Sequence, residues 1–356
     1  MRLTTDDIEA AVLGGAVLGG GGGGSMDNGR WLGRLAMKRG GLDLVPVDSL
    51  PDETVLVTCS YVGSPAAKNI CVKPNAYTRA VELLRNQTGA EIGGLITNEC
   101  GGTATLNGWL QAAALGLPLV DAPCNGRAHP TGVMGSMGLH ALEGYVSHQA
   151  AAGGDEAAGR YVELYVSGSL DAASTLVRQA AVQAGGMASV ARNPVSAGYV
   201  RSHAAVGAVQ QCIELGRAML EAKPGGGMAV CRAAAQYLGG ELVTAGSVDA
   251  CKLRSTGGFD VGEVTIGDYR MDFWNEYMTL EHRAARLATF PDLIMTLAEK
   301  DGIPITTAQV REGKRLVILR VPKERLILGA GMSYQELYTP AEEILGKPIW
   351  NPAGIR

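Results

Sequence analysis

The stretch TVLVTC at positions 54–59 opens a regular alternation of predicted strands and helices. Its apolar residues run almost without interruption, and a second apolar run, GLIT, follows at 94–97. Helical spacing over 76–86 and 107–115 predicts a helix after each strand, and LV at 119–120 predicts a further short strand. Strands that are apolar on both faces are typical of sheets covered by helices on two sides. The sequence therefore predicts an α/β fold with a mixed or parallel sheet layered with helices.

The second half of the chain has a different pattern, because short strands separated by glycines replace the alternation from Gly240 onward. We predict strands at 240–246, 259–266, 269–274 and 316–321. This spacing is typical of a small β-sandwich or barrel. We therefore predict two domains: an α/β domain over 1–225, to which the tail 329–356 returns, and a smaller all-β domain over 226–328.

The composition excludes several classes of function. The chain has 356 residues, of which 46% are hydrophobic and 19% charged, and its net charge is −4. Without a run of Lys or Arg it offers no surface for nucleic acid or anionic lipid, and no window reaches the roughly 18 apolar residues of a membrane helix. Seven scattered cysteines without a C-x-x-C pair fit a reducing compartment. We expect a cytoplasmic protein that binds neither nucleic acid nor membrane.

Two polar clusters follow predicted strands: NECGG at 98–102 and DAPCNGRAH at 121–129. Ligands of α/β sheets bind outside the carboxyl ends of the strands, so we expect the clusters to adjoin one pocket. The candidate catalytic residues are Cys100, Cys124, Glu99, His129 and Asp121. The candidate substrate-binding residues are Asn98, Gly101, Gly102, Asn125 and Arg127, together with Gly22 and Gly23.

Gly22 and Gly23 belong to a run of six glycines at 19–24, between two predicted helices. Backbone N–H groups of such a run can wrap an anion at the start of a helix. A tight or flexible turn without a ligand is the alternative.

The order of several short motifs resembles the family of thiohydantoin desulfurase-like proteins, whose members occur beside or fused to hydantoinase and oxoprolinase domains. The resemblance rests on LGGGG at 18–22, Glu99 with Gly101-Gly102, GRA at 126–128 with Pro130, GGF at 257–259, Asn275-Glu276 and PDLI at 291–294. It implies an α/β domain with a smaller all-β domain, and hydantoin or thiohydantoin rings as substrates. Cys100 and Cys124 depart from the family pattern, which has an aliphatic residue and an acidic glycine-rich stretch there.

The resemblance implies a substrate with a thiocarbonyl carbon in the expected pocket. Hydrolysis at this carbon requires an activated nucleophile. Attack by the thiolate of Cys124 or Cys100 would expel hydrosulfide and leave a thioester-like intermediate for water. Glu99 or His129 would serve as the base. Arg127 would hold a substrate carboxylate, and the amides around Gly101, Gly102 and Asn125 would stabilise the tetrahedral anion.

A metal-activated water is the competing mechanism. The cofactor that the residues leave open is a divalent metal, zinc or iron, in a site of three ligands and one open position. Its candidate ligands are Glu99, Cys100, Asp121, Cys124 and His129.

Three functional hypotheses follow. The first is a hydrolase that releases sulfide from a thiohydantoin such as the 5-oxo-2-thioxoimidazolidine propionate type. The second is an amidohydrolase that opens hydantoin or lactam rings, and the third is a non-catalytic subunit of a hydantoinase or oxoprolinase complex. Structural roles are the alternative for the individual residues, since an isolated cysteine is most often a small core side chain. We expect a small cyclic amide or thioamide as the ligand and a homo-oligomer as the assembly.

Overall fold

The structure is a computed structural model that describes residues 1–64, 67–257 and 259–351. Gly258 of the GGF motif, and the end of the predicted returning tail at 352–356, lie outside these residues. The described α-helices are α1 (Thr5–Leu18), α2 (Met26–Arg39), α3 (Pro74–Thr88), α4 (Trp109–Leu115), α5 (Leu170–Gln183), α6 (Ala197–His203), α7 (Ala208–Ala222), α8 (Gly227–Leu238) and α9 (Thr339–Leu345).

The strands of the first half of the chain form a seven-stranded mixed sheet in the order β1-β4-β3-β2-β7-β5-β6. Its strands are β1 (Leu44–Val45), β2 (Val55–Gly63), β3 (Ile92–Thr97), β4 (Leu119–Val120), β5 (Ser147–Gly153), β6 (Val162–Gly168) and β7 (Met187–Ser196). The neighbours from β1 to β2 pair in parallel, whereas β7, β5 and β6 are added antiparallel. The predicted α/β class with a mixed sheet is confirmed.

Two antiparallel sheets form the second half, in the orders β13-β12-β11-β10-β9 and β15-β14-β16-β8. Their strands are β8 (Glu241–Ser247), β9 (Ala250–Thr256), β10 (Phe259–Ile266), β11 (Tyr269–Trp274), β12 (Glu276–His282), β13 (Ala285–Thr289), β14 (Leu293–Ala298), β15 (Pro304–Ile305) and β16 (Arg315–Val321). Phe273 of one sheet and Ile318 of the other belong to a common apolar cluster. The all-β character of this part agrees with the prediction, and the finer choice of sandwich or barrel stays a prediction.

Two elements differ from those predicted. The range predicted to be all-β opens with the helix α8, whose buried residues Val230, Ala234 and Leu238 recur at helical spacing. The sequence pattern over 204–221 predicts one helix, but the helix begins only with α7, because Gly207 has a φ of +85° and separates α7 from α6. The boundaries of the two predicted domains stay a prediction.

Glycine allows the first helix to lie directly against α7. A Cβ at Gly14 would stand 1.9 Å from the carbonyl oxygen of Cys212, and one at Gly216 would stand 1.9 Å from that of Ala10. The two backbones therefore touch, which larger residues would prevent. This packing fixes α1, and with it the position of the glycine run at 19–24 that follows.

No helix in the described part of the chain combines the length and apolar character that a membrane crossing requires.

Candidate active site

The strands β3 and β4 lie side by side and end at the same edge of the mixed sheet. The chain after each strand continues the pairing, because the backbone N–H of Cys124 donates to the carbonyl of Thr97 at 3.0 Å and that of Asn125 to the carbonyl of Asn98 at 3.2 Å. The two polar clusters therefore adjoin each other, as the strand ends predict.

A cavity of about 670 Å³ opens beside this edge. Five of the predicted residues line it: Asn98, Glu99, His129, Gly22 and Gly23. The glycine run thus reaches the cavity, and residues of β10, β12, α5 and the segment that follows β15 contribute to the rest of the wall. A pocket of this size accommodates a small cyclic ligand.

Glu99 and His129 contact each other in the cavity wall. The backbone N–H of His129 donates to Oε2 of Glu99 at 3.2 Å. The Nε2 atom of His129 also lies 3.2 Å from this oxygen, but the contact lacks hydrogen-bond geometry, and Nε2 has no hydrogen-bond partner in the described residues. Nδ1 lies 2.9 Å from the carbonyl oxygen of Thr131. Because a carbonyl only accepts, Nδ1 carries the proton and Nε2 of the neutral ring is an acceptor.

Burial sets the protonation of this pair. Desolvation raises the pKa of Glu99 to about 7, against the hydrogen bond from His129 and the charge of Arg192, which lower it. Desolvation, helped by the charge of Arg192, lowers the pKa of His129 to about 4. Glu99 therefore exchanges its proton near neutral pH while His129 stays neutral, and this is the behaviour of a general base.

The thiols of Cys100 and Cys124 lie outside the cavity wall. Cys100 is buried in an apolar cluster, and its Sγ contacts the carbonyl oxygen of Ala208 at 3.5 Å. Cys124 is buried as well, with its Sγ 3.2 Å from the hydroxyl of Thr58. Burial raises the pKa of Cys100 well above its usual value and that of Cys124 to about 11. Neither lines the cavity, and both are protonated at neutral pH.

Asp121 and Asn125 contact backbone groups. The carboxylate of Asp121 accepts the N–H groups of Val209 and Gln210 at 2.8 and 3.1 Å, in the first turn of α7. The side chain of Asn125 donates to the carbonyl of Arg127 at 2.8 Å and accepts from the N–H of Gly329 at 2.9 Å. These contacts hold the loop after β4 and the start of α7 in place.

Arg127 is fully buried behind the cavity. Its guanidinium donates to the carbonyls of Pro291, at 2.9 Å, and Asp292, and stands over the ring of Phe290 at 4.5 Å. Gly101 lies against the glycine run, since a Cβ there would come within 2.4 Å of the Cα of Gly23. Gly102 has the same kind of contact with the carbonyl of Gly24. Arg127, Gly101 and Gly102 thus join the parts of the fold around the cavity.

The five candidate metal ligands do not form one group. Cys100, Cys124 and Asp121 have the separate contacts given above, which leaves Glu99 and His129 together at the cavity. Among the residues that the structure describes, no three His, Cys, Asp or Glu side chains are arranged to hold a metal ion.

Arg192, Arg178 and Glu276 belong to the cavity wall but were not among the site residues predicted from the sequence. Arg192 is buried in β7 and donates to the hydroxyl of Ser60 at 2.5 Å. It forms no salt bridge with an acidic side chain of the described ranges, and desolvation lowers its pKa. Arg178 of α5 stands over the ring of Phe259 at 3.9 Å.

Glu276 begins β12 and is buried, with its Oε2 lacking a hydrogen-bond partner in the described part of the chain. Desolvation and the nearby charge of Glu99 raise its pKa well above the usual value. The sequence offered one signal for this residue, because Asn275-Glu276 belongs to the motifs that carry the family resemblance. It offered none for Arg192, which stands within the strand MASVARNPVS at 187–196.

Fold and cavity together define the class: a two-part protein of mixed α/β sheet and antiparallel sheets, with acidic and basic side chains enclosed where the parts meet. The models of the S-Me-THD-like N-terminal domain and the S-Me-THD-like C-terminal domain match residues 6–158 and 169–331. The chain belongs to the S-Me-THD-like family. The resemblance stated from the motifs is confirmed at this level, and an association with hydantoinase or oxoprolinase stays a prediction.

A crystal structure of a protein from Chromobacterium violaceum, solved in a structural genomics programme, is similar over the full length of both chains. The TM-score is 0.73 at 22% sequence identity, so the similarity concerns the fold. No curated protein matches the chain.

Proposed function

We propose that the protein is a hydrolase that releases sulfide from a thiohydantoin ring. The observation that carries the proposal is Glu99, a carboxyl group with a pKa of about 7 in the wall of a cavity large enough for such a ring. Membership of the S-Me-THD-like family supports the ring as substrate. Seven free cysteines support the cytoplasm as the compartment in which it acts.

Glu99 acts as the base in this proposal, in place of a cysteine or a metal. Its carboxylate takes a proton from water while the water oxygen bonds to the thiocarbonyl carbon, and the electrons of the C=S bond move to sulfur. Glu99 returns the proton to sulfur, the C–S bond breaks, and hydrosulfide leaves with the electron pair. The remaining hydroxyl loses its proton to Glu99 and becomes a ring carbonyl, and Glu99 then gives this proton to the departed hydrosulfide, which restores its carboxylate. One water is consumed, one hydrogen sulfide is released and nothing is oxidised.

In this proposal Arg192 takes the role predicted for Arg127, which is to bind a carboxylate on the side chain of the ring. Arg127 donates to backbone carbonyls, whereas Arg192 lines the cavity without an acidic partner in the described residues. A guanidinium in this state binds a carboxylate through charge-assisted hydrogen bonds, and folding has already removed its charge from water, so binding does not incur that cost again. A 5-oxo-2-thioxoimidazolidine propionate fits this requirement.

The test is sulfide release by the purified chain from this thiohydantoin, with and without a chelator, for the unmodified protein and Glu99→Gln. We expect release that survives chelation and is lost in the variant. Ring opening without sulfide release would show that the protein is an amidohydrolase instead. Loss of activity on chelation would show that a metal, and not Glu99, activates the water. If the chain alone transforms neither thiohydantoin nor hydantoin, a non-catalytic role is supported instead.

A further inference from the structure

Three polar atoms without a hydrogen-bond partner in the described residues belong to side chains of the same cavity. They are Oδ1 of Asn107, Nε2 of His129 and Oε2 of Glu276. All three side chains are buried, with exposed fractions of 1%, 7% and 2%. Buried polar atoms are nearly always hydrogen-bonded, and an unpaired one costs about 1–3 kcal/mol. A group of three in one cavity therefore points to a ligand that pairs with them.

The hydrogen-bonding character of each atom follows from its neighbours. Asn107 donates its amide to Oδ1 of Asn98 at 3.0 Å, so that its own Oδ1 is the free acceptor. His129 carries its proton on Nδ1, which faces the carbonyl of Thr131, so that Nε2 is a second acceptor.

Glu276 differs from the other two because it can donate. Burial and the charge of Glu99 raise its pKa well above the usual value, which favours the protonated form of the carboxyl, a hydrogen-bond donor. The room for this side chain comes from Gly22, where a Cβ would stand 1.9 Å from Oε1 of Glu276. The glycine run thus permits the glutamate to reach the cavity wall.

We propose that Asn107, His129 and Glu276 form a subsite for a planar cyclic ureide, in which the two acceptors take ring N–H groups and the carboxylic acid of Glu276 donates to a ring oxygen or sulfur. The inference rests on the proposed function, since it specifies how the ring is held beside Glu99. Hydantoin and thiohydantoin rings carry this combination of two N–H groups and carbonyl or thiocarbonyl acceptors. A ring without N–H groups would leave the acceptors unpaired.

The experiment measures equilibrium binding of unsubstituted hydantoin, 1-methylhydantoin and 3-methylhydantoin by isothermal titration calorimetry. For the unmodified protein we expect each methylation to weaken binding about tenfold or more, because a buried acceptor loses its donor. In Asn107→Ala, the penalty for one of the two methyl groups should largely disappear, since the acceptor is absent. Equal affinities for the three rings would overturn the inference.

Substitutions at Glu276 test the donor. Glu276→Gln keeps an N–H donor of similar shape and should bind hydantoin nearly as well as the unmodified protein, whereas Glu276→Met should lose about tenfold or more. The matched controls are Glu281→Gln and Glu281→Met, on the same strand β12 but outside the cavity wall. Unchanged binding by Glu276→Met would contradict the assignment.

Binding of hydantoin is measured without sulfide release, so this inference and the proposed function fail separately. Methylation-sensitive binding with no release of sulfide retains the subsite and overturns the desulfurising hydrolase. Sulfide release together with equal affinities for the three rings retains the desulfurising hydrolase and overturns the subsite.

Discussion

Oε2 of Glu99 accepts the backbone N–H of His129 and lies 3.2 Å from Nε2 of the same residue. The two residues are 30 positions apart and follow two different parallel strands. A single carboxyl oxygen thus joins the two polar clusters of the sequence. The same burial that brings them together raises the pKa of Glu99 and lowers that of His129, so that only the glutamate exchanges protons near neutral pH.

Glu99→Gln tests the role of the base. The amide has nearly the same shape but cannot take a proton from water, so kcat for sulfide release should fall by about 10²–10⁴-fold with a smaller change in KM. Glu91→Gln, at an exposed position just before β3, is the matched control. Full turnover by a folded Glu99→Gln protein would remove Glu99 from the mechanism.

The pH dependence of the rate should report the same carboxyl group. The active form is the carboxylate and burial raises its pKa to about 7, so kcat/KM should be low in weakly acidic buffer and rise through neutrality. The stability changes in the opposite direction. Between about pH 4.5, the ordinary pKa of a glutamate, and pH 7, Glu99 is still protonated in the folded chain but ionised in the unfolded chain. The protonated Glu99 therefore stabilises the fold at low pH, and this stabilisation is lost as the pH rises through that range.

Initial rates across this range are the measurement, and in a residually active Glu99→Gln protein the rise near pH 7 should be absent. A rise that persists in that variant would belong to another group.

Cys100→Ala and Cys124→Ala separate the thiol mechanism from the carboxylate mechanism. Both thiols are buried and protonated, so we expect most of the sulfide-releasing activity to remain, with a loss of about 1–2 kcal/mol in the free energy of unfolding from the lost packing. Urea denaturation measures the second quantity. The half-buried Cys71→Ala is the control for a thiol outside the core. Loss of kcat in a folded Cys124→Ala protein would restore the cysteine as nucleophile.

The sequence predicts the frame of the site better than the side chains within it. The apolar runs at 54–59 and 94–97 reveal buried strands, and parallel strands necessarily bring Glu99 and the loop of Cys124 to one edge. Which side chain then faces the cavity depends on contacts with distant segments. Arg127 stands in a polar loop yet bonds to Pro291 and Asp292. Arg192 stands in an apolar strand yet lines the cavity. No local pattern distinguishes these two arginines.

Gly22→Ala tests the contact between the glycine run and Glu276. The new Cβ would meet Oε1 of Glu276 at 1.9 Å, so the glutamate must move, at a cost of about 1–3 kcal/mol in stability, and hydantoin binding should weaken with it. Gly168→Ala is the control, since a Cβ there meets no atom within 4 Å. Neither glycine has a positive φ, so an alanine is not strained by the backbone conformation at either position. Unchanged binding and stability in Gly22→Ala would show that Glu276 adapts without loss.

Arg192→Met tests the carboxylate site and depends on a comparison of two substrates. Arg192 is buried, donates to Ser60 and forms no salt bridge with an acidic side chain of the described residues, so a substrate carboxylate would be its direct ionic partner. Loss of a charge-assisted hydrogen bond costs about 1.5–3 kcal/mol, which should raise KM for the propionate-bearing thiohydantoin by about 10- to 100-fold. The unsubstituted thiohydantoin lacks the carboxylate, and its KM should change little.

Arg160→Met, at an exposed position, controls for the loss of one positive charge from the whole chain. Because both substrates carry the same ring, an equal rise in KM for the two would place Arg192 against the ring itself and leave the carboxylate without a partner at this position.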